Sequence, residues 1–261
     1  MAEIWHIDLT PLQWLLFALG GIASGIINTL AGSGSLVTLP IFVFLCGLPA
    51  PLANGTNRMG VLLQNAVAIR GWLQAGISDF RGSAWLVIPA TIGGIVGSRI
   101  AVALTEKLMN YILGGLMLFM LAVLLLRPER WLRESQVRTE HQKHPLTVLA
   151  FFLIGIYGGF IQVGVGIFLL AGLVLFSRYS LRDGNGIKLL IVLMLTIPSA
   201  LVFFLYNQVH LGYGLLMAVF QAFGAWLGVR FVTRAPNVNL WIYRLLLVVA
   251  VVSSVKFFIL G

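Results

Sequence analysis

Residues 146–176 read LTVLAFFLIGIYGGFIQVGVGIFLLAGLVLF, without a single charged side chain. About 20 apolar residues in a helix, at 1.5 Å each, span the roughly 30 Å of hydrocarbon in a bilayer. This run is too long for one span, and its middle carries Gln162, Gly164 and Gly166. The pattern predicts a helix over 146–163, a glycine break, and a short helix over 167–176. An earlier stretch repeats it: the apolar run 12–31 leads through Gly32-Ser33-Gly34 into a short segment over 35–47.

The rest of the chain agrees. Of 261 residues, 59% are apolar and 10% charged, where a soluble domain carries about 25% charged residues. One soluble core cannot hide that much apolar surface, whereas lipid solvates the outside of every helix. The predicted fold class is therefore all-α, a polytopic transmembrane helical bundle forming one integral membrane domain over 1–261. The net charge of +9 does not imply nucleic acid as a partner. Lysines and arginines fall at helix ends and in one central loop, as positive-inside bias requires. Cys46 is the only cysteine, so there is no intrachain disulfide and no Cys-based metal site. The N-terminus lacks the basic region of a cleaved signal peptide, and the first helix is expected to be retained.

The polar stretch 127–145, with Arg127, Arg130, Arg133, Arg138 and Lys143, divides the chain into two similar halves, 12–126 and 146–260. Gly32-Ser33-Gly34 matches Gly164-Val165-Gly166. The run from Leu52 through Asn54, Gly55 and Thr56 to Arg58 matches the run from Leu181 through Asp183, Gly184 and Asn185 to Lys188. Gly93, Gly97 and Arg99 match Gly224, Gly228 and Arg230. Three matches in one order indicate an internal repeat. The segments expected are 12–31, 35–47, 58–73, 83–104 and 108–126, then 146–163, 167–176, 187–205, 211–233 and 238–260. The second of each half has about 10–13 residues, or about 15–20 Å of helix, and reads as a half-helix or re-entrant arm. Each half thus has about four spanning helices plus one short broken or re-entrant helix. With the central loop in the cytoplasm, Arg81, the loop 178–188, Arg230, Arg234 and Arg244 also fall inside. The lysine- and arginine-free loops 48–57 and 206–210 fall outside, with the acidic N-terminus. An odd number of segments per half makes the repeats inverted, an arrangement common in secondary transporters.

Chemistry is expected first at the breaks, where Asn28, Gly32, Ser33, Gly34 and Ser35 stand in one half and Gln162, Gly164 and Gly166 in the other. Glycine lets the backbone leave the helix and approach a ligand. The freed amides at the starts of the short helices suit an anion. Close helix packing is the plainer use of such glycines. Asn54, Thr56, Asn57 and Arg58 form a polar turn before the third segment, and Asp183, Asn185 and Lys188 form its counterpart. Helix capping accounts for the Asn and Thr side chains, but Arg58 enters an apolar helix where a cation needs a partner, which makes it a substrate ligand candidate. Positive-inside bias alone accounts for Lys188.

Gly93, Gly97, Gly224 and Gly228 read as helix packing, and Arg99 and Arg230 as side chains reaching the headgroups. Trp14, Trp72, Trp85 and Trp241 fit an aromatic belt. Gln64 and Asn65 are expected to bond between helices. His6, His141, His144 and His210 read as solvated. All eight acidic residues lie at termini, loops or helix ends, which argues against a cation pump and for an anionic solute. No metal site, cofactor or catalytic cluster is expected, and the chain does not read as an enzyme.

These features resemble the sulfite exporter TauE/SafE family of bacterial permeases. The resemblance rests on the glycine break, Pro40, the Ala53-Asn54-Gly55-Thr56 run, the polar turn at Ile77-Ser78-Asp79-Phe80-Arg81, Gly93 to Arg99 and the final helix. It covers nearly the whole chain, with Gly172 where the repeat would place a second Pro40. It implies a multi-pass protein of the bacterial cytoplasmic membrane, exporting a small sulfur-containing or organic anion such as sulfite or a sulfonate. The partner implied is that anion; the bilayer, a coupling ion of unspecified identity and a second copy in a homo-oligomer are the further candidate partners, with no nucleic acid. The competing reading is a membrane scaffold that transports nothing.

Overall fold

A computed structural model of the chain describes residues 3–74, 80, 83–125, 144–177, 179–232, 251–253 and 255–257. Its long elements are helices, and no strand occurs among the described residues. They are α1 (Pro11–Ala31), α2 (Ser35–Pro40, continued by a π turn over Ile41–Leu45), α3 (Ala50–Gln74), α4 (Ala84–Val102) and α5 (Glu106–Leu125). After the central loop come α6 (Pro145–Phe160), α7 (Val165–Leu175), α8 (Leu181–Leu205) and α9 (Leu211–Val232). Most of the loop 127–145 and of the segment 238–260, with Trp241, lies outside the described residues.

Among the described residues five helices are long and apolar enough to cross a membrane: α1, α4, α5, α8 and α9. α3 has 25 residues, about 37 Å of helix, but buries Asn54, Asn57, Arg58, Gln64 and Asn65. The outer faces display Leu15, Leu19, Ile88, Ile92, Leu201 and Phe204. Apolar surface outside and amides inside is the distribution that a lipid solvent imposes.

The glycine breaks make hairpins. Thr10 and Gln13 close a capping box at the start of α1, which satisfies two amides reciprocally. α1 ends at Gly32, whose φ of 72° is left-handed and suits glycine. The chain then doubles back. Ser24 Oγ donates to the Gly34 carbonyl at 2.9 Å, the Phe17 and Phe42 rings meet at 6.1 Å, and Gln13 Nε2 donates to the Leu45 carbonyl at 3.4 Å. α6 and α7 repeat the motif around Gly164, φ 66°. There the Tyr157 and Phe168 rings meet edge to face at 5.3 Å, and Gly172 lies against Phe151. Both short helices therefore turn back along the helix before them.

The fourth helix of each half packs on the first and third helices of the other: α4 on α6 and α8, α9 on α1 and α3. Glycines permit the close approach, as the spacing predicted. A Cβ on Gly97 would meet the Ile156 carbonyl at 1.9 Å, and one on Gly224 the Ile22 carbonyl at 2.0 Å.

Several expectations need correction. α3 begins at Ala50 and α8 at Leu181, so the two polar turns are early helical turns. Pro49 leads into α3, and Ser180 caps α8 by accepting from the Asp183 amide. Trp72 is buried rather than in a belt, while Trp14 is exposed. Asn65 bonds within its own helix, to the Val61 carbonyl, and neither amide atom of Gln64 has a partner. His210 is buried, not solvated. Its ring lies tilted against that of Tyr213, with centroids 4.6 Å apart.

Candidate functional site

The tips of the two hairpins touch. The Gly166 amide donates to the Gly32 carbonyl at 3.1 Å. A Cβ built on Gly32 would lie 2.5 Å from Gly166 Cα, and one on Gly166 2.4 Å from Gly32 Cα. Only glycine on both sides allows this contact. It also engages one of the amides that the break leaves free, so in this conformation the tips bond to each other. Ser33, Gly34, Ser35, Gln162 and Gly164 are all buried around the junction, and Asn28 is half-buried beside Gly34. Ser33 Oγ and Gln162 Oε1 are buried without a hydrogen-bond partner, while Gln162 Nε2 donates to Thr196 Oγ1.

A buried cation stands at each hairpin. Arg58 is 0% exposed. Its Nη1 donates to the Gly158 carbonyl at 2.6 Å. Its Nη2 donates to the Gly159 carbonyl at 2.9 Å, the Phe160 carbonyl at 3.2 Å and Asn54 Oδ1 at 3.3 Å. Asn54 Nδ2 adds a bond of 2.8 Å to the Phe160 carbonyl. The guanidinium lies 5.1 Å from the Phe203 ring centroid. Arg58 therefore caps the C-terminal end of α6, where orphan carbonyls and the helix dipole favour a cation.

Lys188 stands at the other tip. It is 1% exposed, so positive-inside bias at a solvated loop does not account for it. Its Cδ lies 3.3 Å from the position of a Gly32 Cβ, and its Nζ donates to Asn185 Oδ1 at 2.8 Å. Among the described residues no carboxylate pairs with either cation, and no three His, Cys, Asp or Glu side chains converge as a metal site would require.

Asn57 joins the first hairpin: its Nδ2 donates to Ser35 Oγ at 2.9 Å and its Oδ1 accepts from Thr38 at 2.6 Å. Thr56 does not join the site. Its hydroxyl donates to the Leu52 carbonyl and accepts the His210 amide at 2.9 Å, tying α3 to the α8–α9 connection. Sequence reasoning missed Ser24, Thr38, Thr196 and Gln221. Gln221 Nε2 donates to Ser24 Oγ at 3.0 Å, extending the polar network from the Gly34 carbonyl to α9. An amide isolated in an apolar run was the available signal, since such a group must find a partner inside the bundle.

Two glycine-broken hairpins stand each against the other half, and the model of one family, described as "Sulfite exporter TauE/SafE", matches residues 16–257, nearly the full length of the chain. The chain belongs to the TauE/SafE family. A probable membrane transporter protein of Sinorhizobium is 24% identical over 241 residues, covering 92% of this chain and 90% of the relative. One from Haemophilus influenzae is 24% identical over 234 residues, with 84% of each chain covered. A third, from Bacillus subtilis, is 24% identical and covers 87% of this chain and 91% of its own. No solved structure matches. TauE/SafE membership and the apolar helices make the chain a multi-pass membrane transporter.

Proposed function

We propose that the protein is a permease of the bacterial cytoplasmic membrane for a small anion, sulfur-containing or organic, such as sulfite or a sulfonate. Export is the direction that the family description implies. The observation that carries this reading is the pair of buried cations, one at each hairpin, with no carboxylate paired to either among the described residues. A buried positive field with no fixed counter-charge selects an anion, because only a mobile negative charge can complete it.

In this reading the anionic head binds where the tips now touch, once Gly32 and Gly166 separate. Ser33, Ser35, Asn28, Gln162 and the amides after Gly32, Gly34 and Gly164 receive it, with Asn185 and Lys188 on one side. Asn54, Asn57 and Arg58 shape the other. The halves act as inverted repeats that rock about this point, giving access from either face in turn. The reciprocal packing of α4 on α6 and α9 on α1 supports that symmetry. An anion with equal affinity for both end states does not bias them, so net flow follows gradients.

The test is uptake into proteoliposomes of labelled sulfite, labelled sulfoacetate and a neutral solute of similar size. Saturable, protein-dependent movement of one anion and exclusion of the neutral solute is the expected result. Movement of none of the anions by folded protein, under imposed proton and sodium gradients, overturns the reading.

A further inference from the structure

Among the described residues Lys188 makes one hydrogen bond, to Asn185, where an ammonium has three donors. The charged and titratable groups around it are few among those residues. α1, α2 and α7 carry none. α6 brings only Tyr157, whose hydroxyl donates to the Val163 carbonyl at 2.5 Å. α4 brings Arg99, exposed in its last turn. On α3, Arg70 is exposed and Arg58 lies against Phe203, about 22 Å further along α8. Arg230 of α9 covers the Trp226 ring at 3.8 Å. On α8 itself, Arg182 stands in the first turn of the sequence and Asp183 accepts from Ser180 Oγ at 2.8 Å.

A buried ammonium without a counter-charge is costly, and a charge in such a site must be paired or given up. Arginine cannot give up its proton; lysine can. The junction beside Lys188 is where the proposed anion would arrive, and the inference rests on that reading. An anion there would make the ammonium the favoured form, and the proton would in turn raise anion affinity by the same factor.

We propose that Lys188 carries a proton across the membrane together with the anion. Its Nζ takes a proton from water on the face where the anion enters and returns it to water on the opposite face as the anion leaves. The site then exchanges between two inexpensive states, ammonium with anion and amine without. The intermediate states, a lone buried ammonium or an anion against a neutral amine, are scarce. One proton moves with each monovalent anion, and direction follows the sum of the anion and pH gradients.

The experiment uses the full chain in proteoliposomes, the membrane potential clamped at zero, and methanesulfonate, which has no group titrating near neutral pH. Exchange of labelled for unlabelled methanesulfonate, at equal pH on both sides, reports anion binding and passage. A lumen one pH unit more alkaline than the bath is expected to accumulate the anion about tenfold, with acidification of a trapped pH dye. Lys188→Arg is expected to keep exchange and lose the accumulation. Exchange that proceeds while the pH gradient accumulates nothing, or accumulation driven by sodium alone, overturns the proposal and leaves the anion reading standing. Lys188→Arg accumulating like the parent also overturns it. No exchange of methanesulfonate, sulfite or sulfoacetate brings down the anion reading itself, a separate result. The parent protein's accumulation and dye signal decide the matter even if the variant does not fold.

Discussion

Arg58 and Lys188 enter their helices at corresponding places, eight residues into α3 and α8 or close to it, and each approaches the tip of the other half's hairpin. Their surroundings differ. Arg58 gives four hydrogen bonds, three of them to the last carbonyls of α6. Lys188 gives one, to a side chain of its own helix. A planar fork that is always charged matches a row of carbonyls, so Arg58 is built into the fold. A flexible ammonium with spare donors beside a glycine junction is free to meet something that comes and goes. The pair shows how one position in the two halves is built into the fold in one and left sparsely bonded in the other.

The comparison breaks most completely if the junction itself is forced apart. Gly32→Ala places a Cβ 2.5 Å from Gly166 Cα at a φ of 72°. Left-handed strain and overpacking together cost about 4 kcal/mol. A large fall in the unfolding midpoint in detergent and loss of anion exchange are expected. Arg58→Met comes next, leaving the α6 carbonyls unpaired at a cost of about 3 kcal/mol. The midpoint is expected to fall whether or not anion is present, because the lost bonds are all within the protein. Lys188→Met sharpens the contrast. It removes a sparsely bonded buried amine, so stability is expected to stay within about 1 kcal/mol of the parent. Anion exchange is expected to fall more than tenfold, and anion no longer raises the midpoint. A large loss of stability on Lys188→Met, or none on Arg58→Met, would reverse the assignments. Thr56→Val is the smallest change. It removes the acceptor of the His210 amide for about 1 kcal/mol, with the anion dependence of exchange unaltered.

Much of this was legible beforehand. Gly32 and Gly164 announced the breaks, and the short apolar segments after them announced the returning helices, because a helix needs length to cross lipid. Gly93, Gly97, Gly224 and Gly228 announced close packing. The start of α3 was not legible. Asn54, Asn57 and Arg58 resemble a solvated turn by composition, yet they lie inside a helix, where Asn54 and Arg58 reach the end of α6 and Asn57 bonds to α2. Gln221 and Thr196 were overlooked for the same reason, since a single polar residue in an apolar run does not declare its partner.

By itself, the sequence determined that this chain is a helical membrane bundle with two glycine breaks and with its acidic residues confined to termini, loops and helix ends. Those follow from local quantities: the length of apolar runs, the conformational freedom of glycine, and the scarcity of carboxylates. Only the tertiary structure decided that the two hairpins meet at Gly32 and Gly166, that Arg58 is bonded to the end of α6, and that Lys188 stands beside the junction with donors to spare. Those are contacts between residues 100 or more positions apart, set by how glycine faces let helices approach, and no local pattern encodes them.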